Sequence, residues 1–242
     1  MIESQRKEEA AKIPVGRSSD WRRRERIAQA LRWIRSCAMC AAVLPPIDVV
    51  CESCWERLAM IKNTTGGSRR LAQAGYNFPV YSLFTWTPET DAALRPLVHS
   101  LKRGWAPSAV DRLAEWFCFE RSRLGPMSAN CVVPAPGSSF DHAKAWGEAL
   151  GTRLQRPIVD VLQKAPKQVR LQRSRSATER AELRFQLKTP GKTGQNAYGG
   201  PHLFVDDVIT TGSTAMAAYM ALGDPKGFEV WTMVNRPRLA TL

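Results

Sequence analysis

The chain has 242 residues, is 44% hydrophobic and carries a net charge of +13, from 35 lysines and arginines against 22 acids. That apolar content suffices for one substantial α/β domain with a small appendage. No apolar run approaches the ~18 residues a membrane span needs, and the first residues, MIESQRKEEAAKIPVGRSSDWRRRER, lack the apolar core of a signal peptide. A cytoplasmic protein with reduced thiols is expected. The charge favours anionic partners (nucleic acid, phosphorylated metabolites or acidic surfaces), with a solvated basic surface as the alternative.

In chain order, residues 1–36 form a basic extension in which WRRRERIAQALRWIRS, from Trp21, has amphipathic helical spacing through Ile27, Leu31 and Ile34. Residues 37–60 hold two Cys-x-x-Cys pairs, Cys37 with Cys40 and Cys51 with Cys54. Each pair can turn two sulfurs onto one ion, and two pairs complete a tetrahedral thiolate set suited to Zn²⁺. Such a closed set implies a structural role, in a segment too small to build its own core. Redox cysteines and an iron–sulfur cluster are the alternatives. Residues 61–78, with Asn63, Thr64, Thr65, Gly66, Gly67 and Ser68, read as a linker. Cys118 and Cys131 lie in apolar contexts and are expected to be buried.

From residue 79 onward strands alternate with helices. PVYSLFTW reads as a strand, TDAALRPLVHSLKRG as a helix capped by Thr90, and PSAVDRLAEWFCFERSRLG as a helix with Pro107 near its start. ANCVVPAP is a short strand, FDHAKAWGEALGTRL a helix and PIVDVL a short strand. The segment from Lys164 to Lys188 is strongly basic, and GKTGQNAYGGP is a loop. HLFVDD is a strand, STAMAAYMALG a helix and GFEVWTMVNRP the last strand. This alternation predicts an α/β fold with a mainly parallel sheet covered on both faces.

FVDDVITTGST, Phe204 to Thr214, is the most informative stretch. Asp206 and Asp207 stand at the carboxyl end of a buried strand, where open α/β sheets bind ligands. Adjacent carboxylates there need water or hydrogen-bond donors, and a ribose offers two neighbouring hydroxyls. Thr210, Thr211, Gly212, Ser213 and Thr214 then turn into a helix whose first amides form an anion site. A sugar diol on the acids and a phosphate on the turn together describe a ribose 5-phosphate site. A strand ending in a simple helix cap is the competing reading, and it accounts for Ser213 alone.

LFVDDVITTGST resembles the 5-phosphoribosyl 1-pyrophosphate (PRPP) motif of type I phosphoribosyltransferases. The order of further elements resembles the ComF/GntX-like competence-associated family: the four cysteines, Leu101-Lys102-Arg103-Gly104, Val133-Pro134-Ala135-Pro136, Gln168 and Leu171 with Arg180 and Phe185 beyond, then Asp206 to Thr214. The resemblance runs from Cys37 to the C-terminus. It departs after Pro136, where GSSFDHAKAWGEAL replaces an arginine-rich stretch, and again at AELRF. The ribose 5-phosphate end of the match is therefore stronger than the pyrophosphate end.

The resemblance implies a type I phosphoribosyltransferase-like domain over residues 79–242, with a zinc-ribbon-like module before it. It implies transfer of a 5-phosphoribosyl group from PRPP to a nitrogen acceptor, with Mg²⁺ accompanying PRPP. Asp206 and Asp207 would be catalytic, and Val208 to Thr214 (Val208, Ile209, Thr210, Thr211, Gly212, Ser213, Thr214) would bind the 5-phosphate. Lys102 and Lys144 are candidates for the pyrophosphate, with His142 beside them. The family's link to DNA uptake supports an alternative, an inactive accessory protein that binds single-stranded DNA through the basic segment and Trp21, Trp33, Trp55 and Trp105.

Overall fold

The structure is a computed structural model, and it describes residues 35–44, 49–73, 76–103, 107–137, 142–165, 185–188 and 200–237. Strands β1 (Arg35–Ser36) and β2 (Val43–Leu44) form a small antiparallel pair, followed by helix α1 (Glu52–Thr65). Then come β3 (Gly67–Gln73), β4 (Tyr76–Thr85), α2 (Pro88–Arg103), α3 (Pro107–Ser122), β5 (Cys131–Pro134) and α4 (His142–Leu154). The chain continues through β6 (Leu162–Lys164), β7 (Phe185–Leu187), β8 (His202–Ile209), α5 (Ser213–Ala221) and β9 (Glu229–Asn235).

The central sheet has five strands in the order β3-β4-β9-β8-β5. Strand β3 is antiparallel to β4, and the other neighbours are parallel. Strand β8 is an interior strand, between β9 and β5, and its His202, Leu203, Phe204 and Val205 are all buried, as expected of a parallel strand covered on both faces. Period-two alternation sends Leu203 and Val205 into one core and Phe204 into the other. The first core gathers apolar residues of α1 to α4 against Trp231 and Met233, and Phe117 stacks on Trp231 with ring centroids 4.9 Å apart. The second is made by α5, the β6–β7 hairpin, Phe78 and Phe228. The mixed α/β architecture with a mostly parallel sheet is thus the one expected.

Strands β5 and β8 are neighbours, yet the helices that follow them lie on opposite faces. Trp146 and Leu150 of α4 join the first core, and Ala215 and Ala218 of α5 join the second. The crevice beyond the carboxyl ends of β5 and β8 is therefore a topological switch point, the place where such sheets bind ligands.

Several local expectations change. Residues 61–78 are not a linker: they supply the end of α1, all of β3 and the start of β4. Strand β3 is an edge strand with exposed Ser68 and Arg70, so its sequence shows no apolar run to announce it. Gly66 makes the tight junction, because a Cβ there would lie 2.7 Å from the Leu83 carbonyl oxygen. Helix α2 starts at Pro88, and Thr90 caps it from inside the first turn: its Oγ1 accepts from the Thr87 amide at 2.8 Å and donates to the Thr85 carbonyl at 3.0 Å. The expected strand PIVDVL yields a single parallel bridge, Val132 with Ile158, before β6 begins at Leu162. Of the N-terminal helix expected up to Ser36, the described residues include only Arg35 and Ser36, which form β1. The greater part of the basic segment, residues 166–184, lies outside the described residues. Among the described residues no helix is long and apolar enough to cross a membrane.

Candidate functional site

Asp206 and Asp207 lie near the carboxyl end of β8, and both are part-buried. Each carboxylate accepts the amide that follows it: Asp207 N–H donates to Asp206 Oδ1 at 2.9 Å, and Val208 N–H to Asp207 Oδ1 at 2.7 Å. Thr232 of β9 donates its hydroxyl to the Asp207 carbonyl at 3.0 Å, which fixes the backbone between the acids. Lys102, in the last turn of α2, places Nζ 2.9 Å from Asp207 Oδ2. The two acids therefore differ. Burial, and then the charge of Asp207, push the Asp206 carboxyl well above the ordinary carboxylate range, against the Asp207 amide and Lys102. Asp207 has the direct cationic partner.

The side chains of Val208 and Ile209 pack into the first and second cores. Within the expected phosphate-binding run these two are apolar spacers, and the turn proper is Thr210 to Gly212. Gly212 has φ 82 and stands at the N-cap of α5, where it has no side chain of its own to cap the helix amides. Only a glycine fits there comfortably: the left-handed backbone disfavours a Cβ, and one would meet Leu71 Cδ2 at 2.2 Å. Thr211 Oγ1 and Ser213 Oγ are 2.7 Å apart, and the Ser213 amide reaches Thr211 Oγ1 at 3.4 Å. Thr210 is exposed, and Thr214 lies part-buried in the first helical turn. The turn thus presents hydroxyls and first-turn amides at the positive end of α5, a place for an anion.

The tertiary structure adds residues that the sequence reading missed. Arg69 of β3 donates from an Nη to the Thr210 carbonyl at 3.3 Å, and its buried Nε has no hydrogen-bond partner among the described residues. Leu71, two residues on, is the side chain packed against Gly212. Neither could be found from the motif, because β3 is more than a hundred residues away in sequence. His142, at the start of α4, lines a small, mostly apolar cavity of about 10 Å³ together with Lys102 and Asp207. Lys144 pairs with Asp160 at 3.7 Å.

The four cysteines form a separate centre. The sulfurs of Cys37, Cys40, Cys51 and Cys54 all lie within 4.8 Å of one another, those of Cys40 and Cys51 at 3.5 Å. The set can hold a metal ion. Burial opposes ionisation at Cys37, but the amides of Cys51, Met39 and Cys40 outweigh it and bring the thiol down to about 6. Burial and the three neighbouring sulfurs drive Cys54 upward. Four thiols this close cannot all ionise without a cation, and a thiophilic divalent ion resolves the conflict. Trp55, beside Cys54, is only 5% exposed and packs edge-on against Trp116 at 5.3 Å, so it is core and offers no base-stacking surface. Trp21, Trp33 and Trp105 lie outside the described residues. Cys131 is buried and Cys118 half-buried, and burial pushes both thiols up to about 11.

No protein-family model and no curated protein matches the chain. Among solved structures it is similar to an adenine phosphoribosyltransferase at 17% identity, over 74% of this chain and 88% of that one, with a TM-score of 0.38. The adenine phosphoribosyltransferase of Leishmania tarentolae is 13% identical over 57% of this chain and 74% of that one, with a TM-score of 0.34. That of Saccharomyces cerevisiae, solved with an imino-altritol bisphosphate and adenine, is 15% identical over 74% and 89%, with a TM-score of 0.31.

Proposed function

We propose that the chain binds PRPP in the crevice beyond β5 and β8 and transfers its 5-phosphoribosyl group to a nitrogen acceptor, releasing pyrophosphate. The observation that carries the reading is the sequence of parts along one short segment: a carboxyl pair at a strand end, a left-handed glycine turn, and a helix N-terminus. The turn suits the 5-phosphate, and the acids suit the ribose hydroxyls.

In the transfer the bond between ribose C1 and the pyrophosphate oxygen breaks, and its electron pair leaves on pyrophosphate. The acceptor nitrogen supplies the pair for the new C1–N bond and then loses a proton. Positive charge develops on the sugar ring beside Asp207, and negative charge on the leaving group within reach of Lys102. Asp206 and Asp207 orient the ribose, and their hard oxygen donors also suit a Mg²⁺ ion carried in with PRPP, which would offset charge on the leaving group. The four cysteines would hold Zn²⁺ in a structural role, tying β1, β2 and α1 together.

The test is calorimetric titration of PRPP with Mg²⁺ into the wild type and into Asp206→Asn with Asp207→Asn. Binding by the wild type and its loss in the double variant support the reading. Equal behaviour of the two proteins overturns it.

A further inference from the structure

A second cavity, of about 370 Å³, opens between α1, α3 and the β3–β4 edge of the sheet. It shares no lining residue with the Asp206–Asp207 crevice or the turn after it. Its volume falls in the range of small-molecule sites, roughly 300–1,000 Å³. Its lining is chemically mixed. Leu83 and Phe117 give an apolar floor, each at most 3% exposed. Tyr81 gives a flat wall, with the Arg121 guanidinium carbon 4.5 Å from its ring centroid.

The charge of this lining is unbalanced. Lys62, Arg121 and Arg123 face it, with Glu120 as the acid among the lining residues. Lys62 pairs with Glu120, and Arg123, 69% exposed, reaches Glu120 at 3.5 Å. Arg121 is nine-tenths buried: its side chain is 6% exposed and it contacts Glu229 at 3.2 Å. One Nη donates to the Gly125 carbonyl at 2.9 Å, while Nε is buried with no partner among the described residues. Arg121 is thus matched by Glu229 and turns no free donor to the cavity, whereas Lys62 and Arg123 share Glu120, and that pair of cations on one acid leaves positive charge for an anion to meet.

We propose that this cavity is a second binding site, for a small amphipathic anion with a flat apolar body and one carboxylate or sulfonate group. The body lies on Phe117, Leu83 and Tyr81, and the acid group meets Lys62 and Arg123. The site touches the last turn of α1 at Lys62 and Asn63, the end of the helix opposite Cys54, so its occupant bridges that helix and the sheet.

The probe is 8-anilinonaphthalene-1-sulfonate, titrated by fluorescence into the full chain, with the uncharged N-phenyl-1-naphthylamine as control. Gly67 offers a blocking position, because a Cβ there meets nothing within 4 Å and Gly67 lines the cavity. The expected result is one saturable site, weakened about tenfold or more by Gly67→Trp and severalfold by Arg123→Glu, with the neutral probe about tenfold weaker. The Asp206→Asn, Asp207→Asn protein should bind the sulfonate unchanged, and the melting temperature should show that each variant folds. Absence of binding overturns the proposal, as does binding indifferent to both Gly67→Trp and Arg123→Glu, or equal binding of the neutral probe.

Discussion

Lys102 Nζ lies 2.9 Å from Asp207 Oδ2, joining the end of α2 to the end of β8. Lys102 is 45% exposed on its side chain, so the pair contributes little to folding, under about 1 kcal/mol. Its value lies in placing a cation at the crevice. Lys102→Met is expected to leave the melting temperature within a few degrees of wild type. It should weaken PRPP by about 10-fold or more, the worth of a charge-assisted hydrogen bond. Calorimetry and thermal unfolding on the same samples check both halves.

Asp206 gives a stability effect with a defined sign. Its folded carboxyl titrates above the unfolded one, because burial and Asp207 disfavour its charge. The folded state keeps a proton that the unfolded chain releases as pH rises past the ordinary value near 4. Asp206 therefore lowers stability progressively above that pH, until its own raised value is passed. Asp206→Asn removes the penalty. The variant should be more stable than wild type at pH 7, on the order of 1 kcal/mol or ~3 °C in Tm, and equal to it near pH 3. Denaturant titrations at both pH values decide this.

Gly212 joins backbone strain to a steric limit. A side chain there must adopt φ 82 and displace Leu71. Gly212→Ala should cost about 2–3 kcal/mol, part from the left-handed backbone and part from overpacking. Adding Leu71→Ala should recover the packing part and leave the backbone part, so a double-mutant cycle separates them.

Arg69 is predicted to serve the phosphate end of the crevice. Its guanidinium is bonded to the carbonyl of Thr210 and sets a positive charge beside the turn. Arg69→Gln should weaken ribose 5-phosphate by about 10-fold or more while leaving inorganic pyrophosphate binding unchanged. Equal loss of both ligands would assign Arg69 to the fold instead.

The four-cysteine centre predicts one equivalent of zinc per chain, released by a thiol-modifying reagent and read with a chromogenic chelator. Loss of the metal should open α1 first, because Cys51 and Cys54 anchor its start. Hydrogen exchange should then quicken across Glu52–Thr65 while β8 remains protected.

What the sequence by itself determined is local. The two Cys-x-x-Cys pairs, the acid pair at a strand end and the glycine turn into α5 are each encoded in fewer than twenty consecutive residues, where spacing and backbone preference suffice. The alternation of strands and helices predicted a parallel sheet, because burial on both faces demands apolar runs such as HLFV and VWTMV. The edge strand β3 escaped notice for the opposite reason: with exposed residues and a Gly-rich start it resembles a loop until β4 pairs with it. Only the tertiary structure brought Arg69 to Thr210, Leu71 to Gly212, Lys102 to Asp207 and Arg121 to Glu229. These partners come from separate elements far apart in the chain, and no local periodicity encodes which surfaces the sheet order will press together.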